Sequence, residues 1–290
     1  MSAPRAIASV FERCRVERRA ALIAYIAAGD PTPSATVELA RGVVRGGADI
    51  VEIGVPFSDP LADGPIIQAA YTRALAGGTT VRSVLEAVEV ITAETEAPVV
   101  LMTSWNPVLA YGPGHFCADA GAIGVAGMLI PDLLPEDAST VRIDAQRAGL
   151  DTVFLAAPGI SEERLQAAAR VTSGFLYLIS RRGVTGPAGG IGDTLEQDVA
   201  RARQHCNQPI AVGFGITTPD DAARVAQYAD GVIVGSALVK NASAAYQQSV
   251  TAGASDEKAL AAAASAVSQR TADLLAGMVS VGSLESLERE

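Results

Sequence analysis

Two kinds of hydrophobic pattern alternate along the 290-residue chain. Short, nearly continuous aliphatic runs are separated by stretches such as 34–47 and 80–95, in which apolar residues recur three and four positions apart. The first pattern predicts buried strands and the second predicts amphipathic helices, an alternation typical of a parallel sheet covered by helices. The predicted strands are 21–29, 48–55, 98–104, 125–131, 151–158, 174–180, 209–215 and 230–236. Eight such units favour an α/β fold of the (β/α)8 TIM barrel type, with an open doubly wound sheet as the alternative.

The two ends of the chain carry helical patterns outside this alternation. Residues 1–20 predict an extra N-terminal helix ahead of the first strand, placed to close the N-terminal end of the barrel. Residues 250–290 predict one long alanine-rich C-terminal helix followed by a frayed tail. No low-complexity linker divides the chain, so residues 1–290 are predicted to form a single barrel domain.

The composition narrows the classes of function. The formal net charge is −10, and such an acidic chain repels nucleic-acid phosphates and anionic lipid, so neither is an expected partner. No apolar run approaches the roughly 20 residues that a membrane span needs. The three cysteines are widely spaced, and the N-terminal segment lacks the apolar core of a signal peptide. These features favour a reducing, cytoplasmic location.

Glu52 interrupts the second apolar run, ADIVEIGV (48–55), and is the first candidate for chemistry. Side chains alternate along a strand, so the aliphatic neighbours of Glu52 face the helices and its carboxylate points into the barrel mouth. A buried carboxylate has a raised pKa, which suits proton transfer; the alternative is a carboxylate satisfied by an ion pair inside the barrel. Asp63 follows in the turn FSDPLADGP. Taken alone, Asp63 and Asp59 are more typical of turn formers than of catalytic groups.

A second candidate cluster follows the last two strands. Glycines there let backbone N–H groups approach a phosphate, and a short helix opened by Ser236 can direct its positive end at the same point. Tight turns without a ligand are the alternative interpretation. The phosphate candidates are Gly213, Gly215, Gly235 and Ser236.

Several classes of reaction lack the residues that they need. His115 and His205 are the two histidines, and neither belongs to a metal-binding cluster or a catalytic triad. Lys240 and Lys258 are the two lysines, and neither ends a mid-barrel strand, as a Schiff-base lysine would. The residues alone therefore predict acid–base catalysis by carboxylates on a phosphorylated small molecule.

Over most of residues 20–240 the chain resembles the α subunits of tryptophan synthase. The motifs that carry the resemblance occur in the expected order and cover strands two to eight, while AYIAAGDP (24–31) adds strand one. These motifs are VEIGVPFSDPLADGPIIQAA (51–70), LMTSWNPVLAYG (101–112), GMLIPDLLPED (127–137), LYLISRRGVTG (176–186), AVGFGI (211–216) and GVIVGSALVK (231–240).

The resemblance implies a lyase that cleaves indole-3-glycerol phosphate to indole and glyceraldehyde 3-phosphate. It implies that Glu52 is the general acid and base, that Asp63 holds the indole N–H, and that this chain needs no cofactor. The implied substrate-binding residues are Tyr25, Ile66, Leu101, Tyr177 and Thr185, and the implied phosphate-binding residues are Gly186, Gly213, Gly215, Gly235 and Ser236.

The same resemblance implies an α2β2 complex in which a β subunit carrying pyridoxal phosphate uses the indole to make L-tryptophan. Pro56, Phe57, Asp59 and Pro60 in loop two, and Trp105, Asn106 and Pro107 in loop three, would face that partner. Loop six, PAGGIGD (187–193), is richer in glycine than the family pattern, which predicts a larger entropic cost of ordering it. Three alternatives stay open: a stand-alone indole-releasing lyase without a β partner, a catalytically silent regulatory barrel subunit, and another phosphate-binding barrel enzyme of the same pathway.

Overall fold

The computed structural model describes residues 7–60, 63–180 and 194–284, with the backbone alone described for 280–284. Its strands form a closed parallel barrel in sequence order, in which the last strand pairs with the first, so the predicted (β/α)8 architecture is confirmed and the open sheet is not formed. The strands are β1 (Ala21–Ala27), β2 (Ile50–Gly54), β3 (Val99–Met102), β4 (Gly127–Leu129), β5 (Asp151–Ala156), β6 (Leu176–Ile179), β7 (Ile210–Gly213) and β8 (Gly231–Val234).

Helices surround the barrel, and several begin where the sequence supplies a cap. Thr80 and Ser83 form a reciprocal capping box at the start of the helix Val81–Glu94, and Thr218 and Asp221 form another at the start of the helix Pro219–Ala226. In the described ranges the helices are α1 (Ile7–Val16), α2 (Ala35–Arg45), α3 (Pro65–Ala76), α4 (Val81–Glu94), α5 (Trp105–Tyr111), α6 (Pro113–Ala122), α7 (Ser139–Arg147), α8 (Glu162–Val171), α9 (Leu195–Arg203), α10 (Pro219–Ala226), α11 (Ser236–Thr251) and α12 (Asp256–Leu284). None of these helices is long and apolar enough to cross a membrane.

The barrel wall separates two apolar clusters. On β2, Val51 and Ile53 pack outward with the helices, whereas Ile50 belongs to the cluster inside the barrel. All five residues of β2 are buried. Burial on both faces explains why these strands are continuously apolar, and it makes a charge at Glu52 conspicuous.

Helix α1 closes the N-terminal end of the barrel, as the sequence predicts. Ile7 and Phe11 belong to the inner cluster, and the Phe11 ring lies 5.8 Å from that of Phe175, centroid to centroid. Just beyond α1, Arg19 donates hydrogen bonds of 2.6 and 2.7 Å to the two carboxylate oxygens of Asp49 at the start of β2. This end of the barrel is therefore filled and cross-linked, which leaves the opposite end for a site.

The predicted C-terminal helix is confirmed as α12, and it packs against α2, α10 and α11 rather than extending away from the barrel. Glycines allow the close approach: a Cβ built on Gly46, the C-cap of α2, would lie 2.4 Å from the Ser268 carbonyl oxygen. The prediction of a short helix opened by Ser236 is wrong in length. The helix that Ser236 opens, α11, continues for 16 residues and packs along α12.

Candidate active site

Glu52 lies inside the barrel on β2 and is 1% exposed. Among the described residues its Oε2 atom has no hydrogen-bond partner and its carboxylate forms no ion pair, so the interpretation as a structural ion pair finds no support within those ranges. Burial raises the pKa of Glu52 to about 8, and the nearby Asp63 carboxylate contributes to the increase. At neutral pH this group therefore holds a proton that it can deliver.

Asp63 lies two residues before α3, where the chain returns from loop two. Its backbone N–H donates to the Pro60 carbonyl at 3.0 Å, and Gln68 Nε2 donates to the Asp63 carbonyl at 2.8 Å. These bonds leave the carboxylate to face a cleft that Tyr71 and Met102 also line. Burial raises the pKa of Asp63 to about 7. The structure thus supports more than a turn-forming role for this aspartate.

Tyr25 and Tyr71 meet above Glu52. Tyr25 Oη donates a 2.8 Å hydrogen bond to Tyr71 Oη, and both side chains are buried. A Cβ built on Gly54 would lie 2.0 Å from Tyr25 Oη and 2.5 Å from Tyr71 Oη. Glu52 and Gly54 share one face of β2, so the absent side chain at Gly54 makes room for both hydroxyl groups beside the carboxylates.

Tyr177 enters the same space from β6. A Cβ built on Gly213 would lie 2.2 Å from Tyr177 Oη, so this glycine makes room for the phenol. The Phe214 ring packs edge-on against Tyr177 with 5.9 Å between centroids. Burial raises the pKa of Tyr177 well above its usual value, and Glu52 and Asp63 add to the shift. The phenol therefore remains protonated beside the carboxylates.

Ile66 and Leu101, the two predicted aliphatic substrate-binding residues, lie on different sides of the barrel wall. Ile66 packs against the cluster inside the barrel. Leu101, however, packs in the outer cluster with the helices, so its prediction as a substrate-lining residue is wrong in register. Glu52 pairs with Val100 on β3, and alternation then directs Met102 inward and Leu101 outward.

The candidate phosphate end lies where β7 and β8 finish. Phe214 and Gly215 have left-handed φ values of 72° and 74°, and Ser180 Oγ donates to the Phe214 carbonyl. Gly235 and Ser236 form the first turn of α11, whose free N–H groups and positive dipole end favour an anion. Four of the phosphate candidates are thus brought to one side of the mouth. Thr185, Gly186 and the glycines of loop six lie outside the described residues.

Comparison with known proteins identifies the family. A family model described as tryptophan synthase alpha chain matches residues 11–270. The chain belongs to the tryptophan synthase alpha chain family. The alpha chain of Geobacter sulfurreducens is 47% identical over 234 residues, which cover 81% of this chain and 89% of that relative. The alpha chain of Nocardia farcinica is 46% identical over 242 residues, which cover 83% and 91%.

Solved structures of the family share the fold at similar coverage. Tryptophan synthase from Mycobacterium tuberculosis aligns with a TM-score of 0.80 and 39% identity, covering 94% of this chain and 97% of that chain. The tryptophan synthase subunit alpha of Legionella pneumophila aligns with a TM-score of 0.77 and 36% identity, covering 93% and 98%. The barrel and its two terminal helices therefore follow the tryptophan synthase alpha chain architecture.

Three residues of the site were not predicted from the sequence. Tyr71 lies on α3 and reads there as an ordinary core aromatic. Met102 is adjacent to Leu101, and Phe214 lies between Gly213 and Gly215, two of the predicted phosphate-binding residues. Of the three, Phe214 alone had a signal in the sequence, because a bulky residue between two glycines of a tight turn is unusual. In the structure its backbone is left-handed.

Proposed function

We propose that this chain is a carbon–carbon lyase that cleaves indole-3-glycerol phosphate to indole and glyceraldehyde 3-phosphate. The observation that carries the proposal is the pair formed by Glu52 and Asp63, two carboxyl groups with raised pKa values at the mouth of the barrel. Family membership supports the assignment to this reaction.

Glu52 delivers a proton to C3 of the indole ring and then accepts one from the glycerol hydroxyl group. A carboxyl group with a pKa of about 8 is protonated before the reaction, and its burial keeps water from competing for the proton. Protonation at C3 converts the ring into an electron sink. The bond between C3 and the glycerol carbon then breaks, and the hydroxyl-bearing carbon leaves as an aldehyde.

Asp63 stabilises the charge that this step creates. Protonation at C3 places positive charge on the indole nitrogen, and a carboxylate hydrogen-bonded to the N–H offsets it. Tyr25, Ile66 and Met102 supply an apolar wall for the ring, and Tyr177 lies beside the carboxylates. Because the indole ring itself accepts the electrons, the reaction needs neither a lysine nor a metal, and we assign no cofactor to this chain.

The residues where β7 and β8 finish bind the phosphate group of the substrate. The first turn of α11, at Gly235 and Ser236, and the turn at Gly213 and Gly215 would hold the phosphate group through backbone N–H groups. On the resemblance alone, we add Gly186 to these phosphate-binding residues and assign Thr185 to substrate binding.

A β subunit carrying pyridoxal phosphate is the proposed partner, in an α2β2 complex that makes L-tryptophan from the released indole. Solved relatives are described as tryptophan synthase from Mycobacterium tuberculosis. Loop two carries Phe57, Asp59 and Pro60, which line a cleft beside α3. The predicted loop-three residues Trp105, Asn106 and Pro107 form the first turn of α5 instead of a loop, and Leu109 of the same helix is 55% exposed. An apolar, proline-rich rim is suited to a protein interface.

Indole release from indole-3-glycerol phosphate tests the proposal directly, with and without a tryptophan synthase β subunit. Slow release alone and a large increase with the β subunit are expected. Glu52→Gln should lower the rate at least roughly a hundredfold, the usual contribution of a general acid or base. Glu89→Gln, on the exposed face of α4, is the matched control and should leave the rate unchanged.

Other outcomes are equally informative. Fast release without any response to the β subunit would identify a stand-alone lyase. No release under either condition, or a Glu52→Gln rate within a few-fold of the wild type, would show that the assigned reaction or its catalytic residue is wrong.

A further inference from the structure

Arg73 joins three elements beside the candidate site. Its Nε donates to Asp30 Oδ1 at 2.7 Å, and its Nη2 donates to Asp30 Oδ2 at 3.2 Å and to Ser243 Oγ at 3.1 Å. Ser243 Oγ in turn donates to Asp30 Oδ2 at 3.0 Å. The loop after β1, helix α3 and helix α11 therefore share one closed hydrogen-bonded triangle.

Asp30 is the anchor of this triangle. Its side chain is 2% exposed, and a buried carboxylate is costly unless it is paired. The folded protein therefore needs the hydrogen bonds that Arg73 and Ser243 make to Asp30. The preceding residue is fixed as well, because the Gly29 N–H donates to Thr36 Oγ1 at 2.9 Å. The Arg73 side chain is 44% exposed and reaches inward from the surface to this fixed point.

Ser243 connects Asp30 to α11, the helix whose first turn contains the proposed phosphate-binding residues. It lies seven residues after Ser236, which places the two residues on the same face of α11, about 10 Å apart along the axis. A serine in a helix usually bonds to a carbonyl of its own helix, whereas this hydroxyl bonds to Asp30 on a neighbouring loop. Because two turns of helix move as a unit, holding Ser243 holds the first turn of α11.

Arg73 connects Asp30 to α3, the helix next to the catalytic carboxylates. It lies two residues after Tyr71 on α3, the helix that begins two residues after Asp63. Inside the barrel, Tyr71 accepts the hydrogen bond of Tyr25, and a Cβ built on Gly235 would lie 3.3 Å from the Tyr25 ring. Helix α3 is thus connected to α11 in two ways. Inside the barrel the connection runs through Tyr71 and Tyr25, and outside it runs through the hydrogen bonds among Arg73, Asp30 and Ser243.

We propose that Arg73 is a positioning residue that, through Asp30 and Ser243, fixes the phosphate-binding turn of α11 relative to the catalytic carboxylates. The inference rests on the proposed function, since it assigns the two ends of one substrate to α11 and to the carboxylate pair. Arg73 itself is neutralised by Asp30, so it acts through geometry and not as a phosphate ligand.

The test compares Arg73→Gln and Ser243→Ala with a matched control, Arg203→Gln. Arg203 is 47% exposed and contacts Asp230 at 2.9 Å, but Asp230 precedes β8 at the opposite end of the barrel. Each variant is assayed for kcat and KM with indole-3-glycerol phosphate. Calorimetry then measures binding of glycerol 3-phosphate, which probes the phosphate end, and of indole, which probes the carboxylate end.

Arg73→Gln is expected to raise KM and weaken glycerol 3-phosphate binding roughly tenfold, because sub-ångström misplacement of a substrate-holding group has effects of this size. Indole affinity should stay within about twofold and kcat within about threefold, since the carboxylates keep their own supports. Ser243→Ala should show a smaller shift in the same direction, roughly threefold, because the Arg73–Asp30 pair remains. Arg203→Gln should change none of these quantities.

If Arg73 had a purely structural role, Arg73→Gln would weaken the binding of glycerol 3-phosphate and of indole equally, or Arg203→Gln would have effects as large as those of Arg73→Gln. Either result would overturn the inference. Should Arg73→Gln fail to fold, Ser243→Ala decides: unchanged KM and glycerol 3-phosphate affinity in that folded variant would also overturn it. Wild-type protein that releases indole while Arg73→Gln behaves normally refutes this inference alone. Wild-type protein that releases no indole refutes the proposed function instead.

Discussion

The hydroxyl groups of Tyr25 and Tyr71 are joined by a 2.8 Å hydrogen bond in the space where β2 has no side chain, at Gly54. Tyr25 comes from a strand and Tyr71 from a helix, so one contact fixes α3 against the barrel. Burial raises the pKa of both phenols well above the usual value, with additional contributions from the site carboxylates. Both groups therefore stay neutral and can hold their bond across the working pH range.

Gly54→Ala should disturb this arrangement. The added methyl group would overlap Tyr25 Oη and Tyr71 Oη, and the Tyr25 ring is also within 2.6 Å, so a rotation of the hydroxyls cannot relieve the clash. We expect a loss of roughly 1–3 kcal/mol in the free energy of unfolding, typical of overpacking, together with a marked loss of indole release. Urea denaturation and the indole assay measure the two effects.

Gly114→Ala is the control for the Gly54 variant. It lies in α6, and the nearest atom to an added Cβ there is 3.6 Å away, an ordinary contact. Alanine is also favoured over glycine in a helix, so this variant should be at least as stable as the wild type. Equal stability losses in the two variants would contradict the explanation by steric overlap.

The pH dependence of turnover should be bell-shaped. Asp63 must be ionised to hold the indole N–H, so the rate should rise with pH through about 7, and Glu52 must be protonated to deliver its proton, so the rate should fall above about 8. The two groups interact, and the two apparent values belong to the pair. A kcat/KM profile between about pH 5.5 and 9.5 measures both limbs, because this ratio reports the ionisation of the free enzyme.

Asp63→Asn identifies the origin of the acidic limb. The substrate phosphate ionises near pH 6, close enough to be confused with Asp63. If the limb belongs to Asp63, it should disappear from the residual activity of the variant while the limb assigned to Glu52 remains. An unchanged acidic limb in Asp63→Asn would assign it to the substrate.

The fold was predictable because its strands are continuous apolar runs of the right length and number. The docking of α12 was not predictable, since it depends on glycines such as Gly42 and Gly46 that look like ordinary helix positions along the chain. A hydrophobic pattern identifies a helix and its apolar residues. The neighbouring helices on which it packs follow only from the tertiary structure.

The site was predictable where one residue contradicted its surroundings. Glu52 stands out because a charge in a buried strand needs a reason. Leu101 was misplaced because the run VVLM (99–102) has no alternation, and only the pairing of Glu52 with Val100 settles which side chains face inward. Tyr71 carried no signal, since its role depends on meeting Tyr25 in space.

Asp49 should matter for stability and not for turnover. Burial tends to raise its pKa, but hydrogen bonds from Arg19 and from the Leu22 N–H lower it overall, so it is ionised and paired in the folded protein. Asp49→Asn should cost roughly 2–4 kcal/mol in the free energy of unfolding, as expected for breaking a largely buried pair. The indole-release rate of the folded variant should be unchanged, because Asp49 lies at the opposite end of the barrel.

The pH dependence of stability checks the same pair. A lowered pKa stabilises the folded state above the unfolded value of 3.8, and this contribution is lost as pH falls below it, so the effect of Asp49→Asn should shrink in acid. Glu12→Gln, which breaks an exposed 2.7 Å pair with Arg15, should have no measurable effect at any pH. Slower indole release in Asp49→Asn would contradict the separation of the two barrel ends.

Glu52→Gln should stabilise the protein while it removes activity. The folded-state pKa of Glu52 is about 8, against 4.5 for an ordinary glutamate, so between these values the folded wild type retains a proton that the unfolded chain releases. Wild-type stability therefore falls as pH rises through this window, by an amount on the order of a few kcal/mol, and the amide variant escapes that loss. Urea denaturation near pH 5 and near pH 9 should show a gain in Glu52→Gln that is much larger at the higher pH. An equal difference at both pH values would mean that Glu52 ionises normally in the folded barrel and has no proton to deliver at neutral pH.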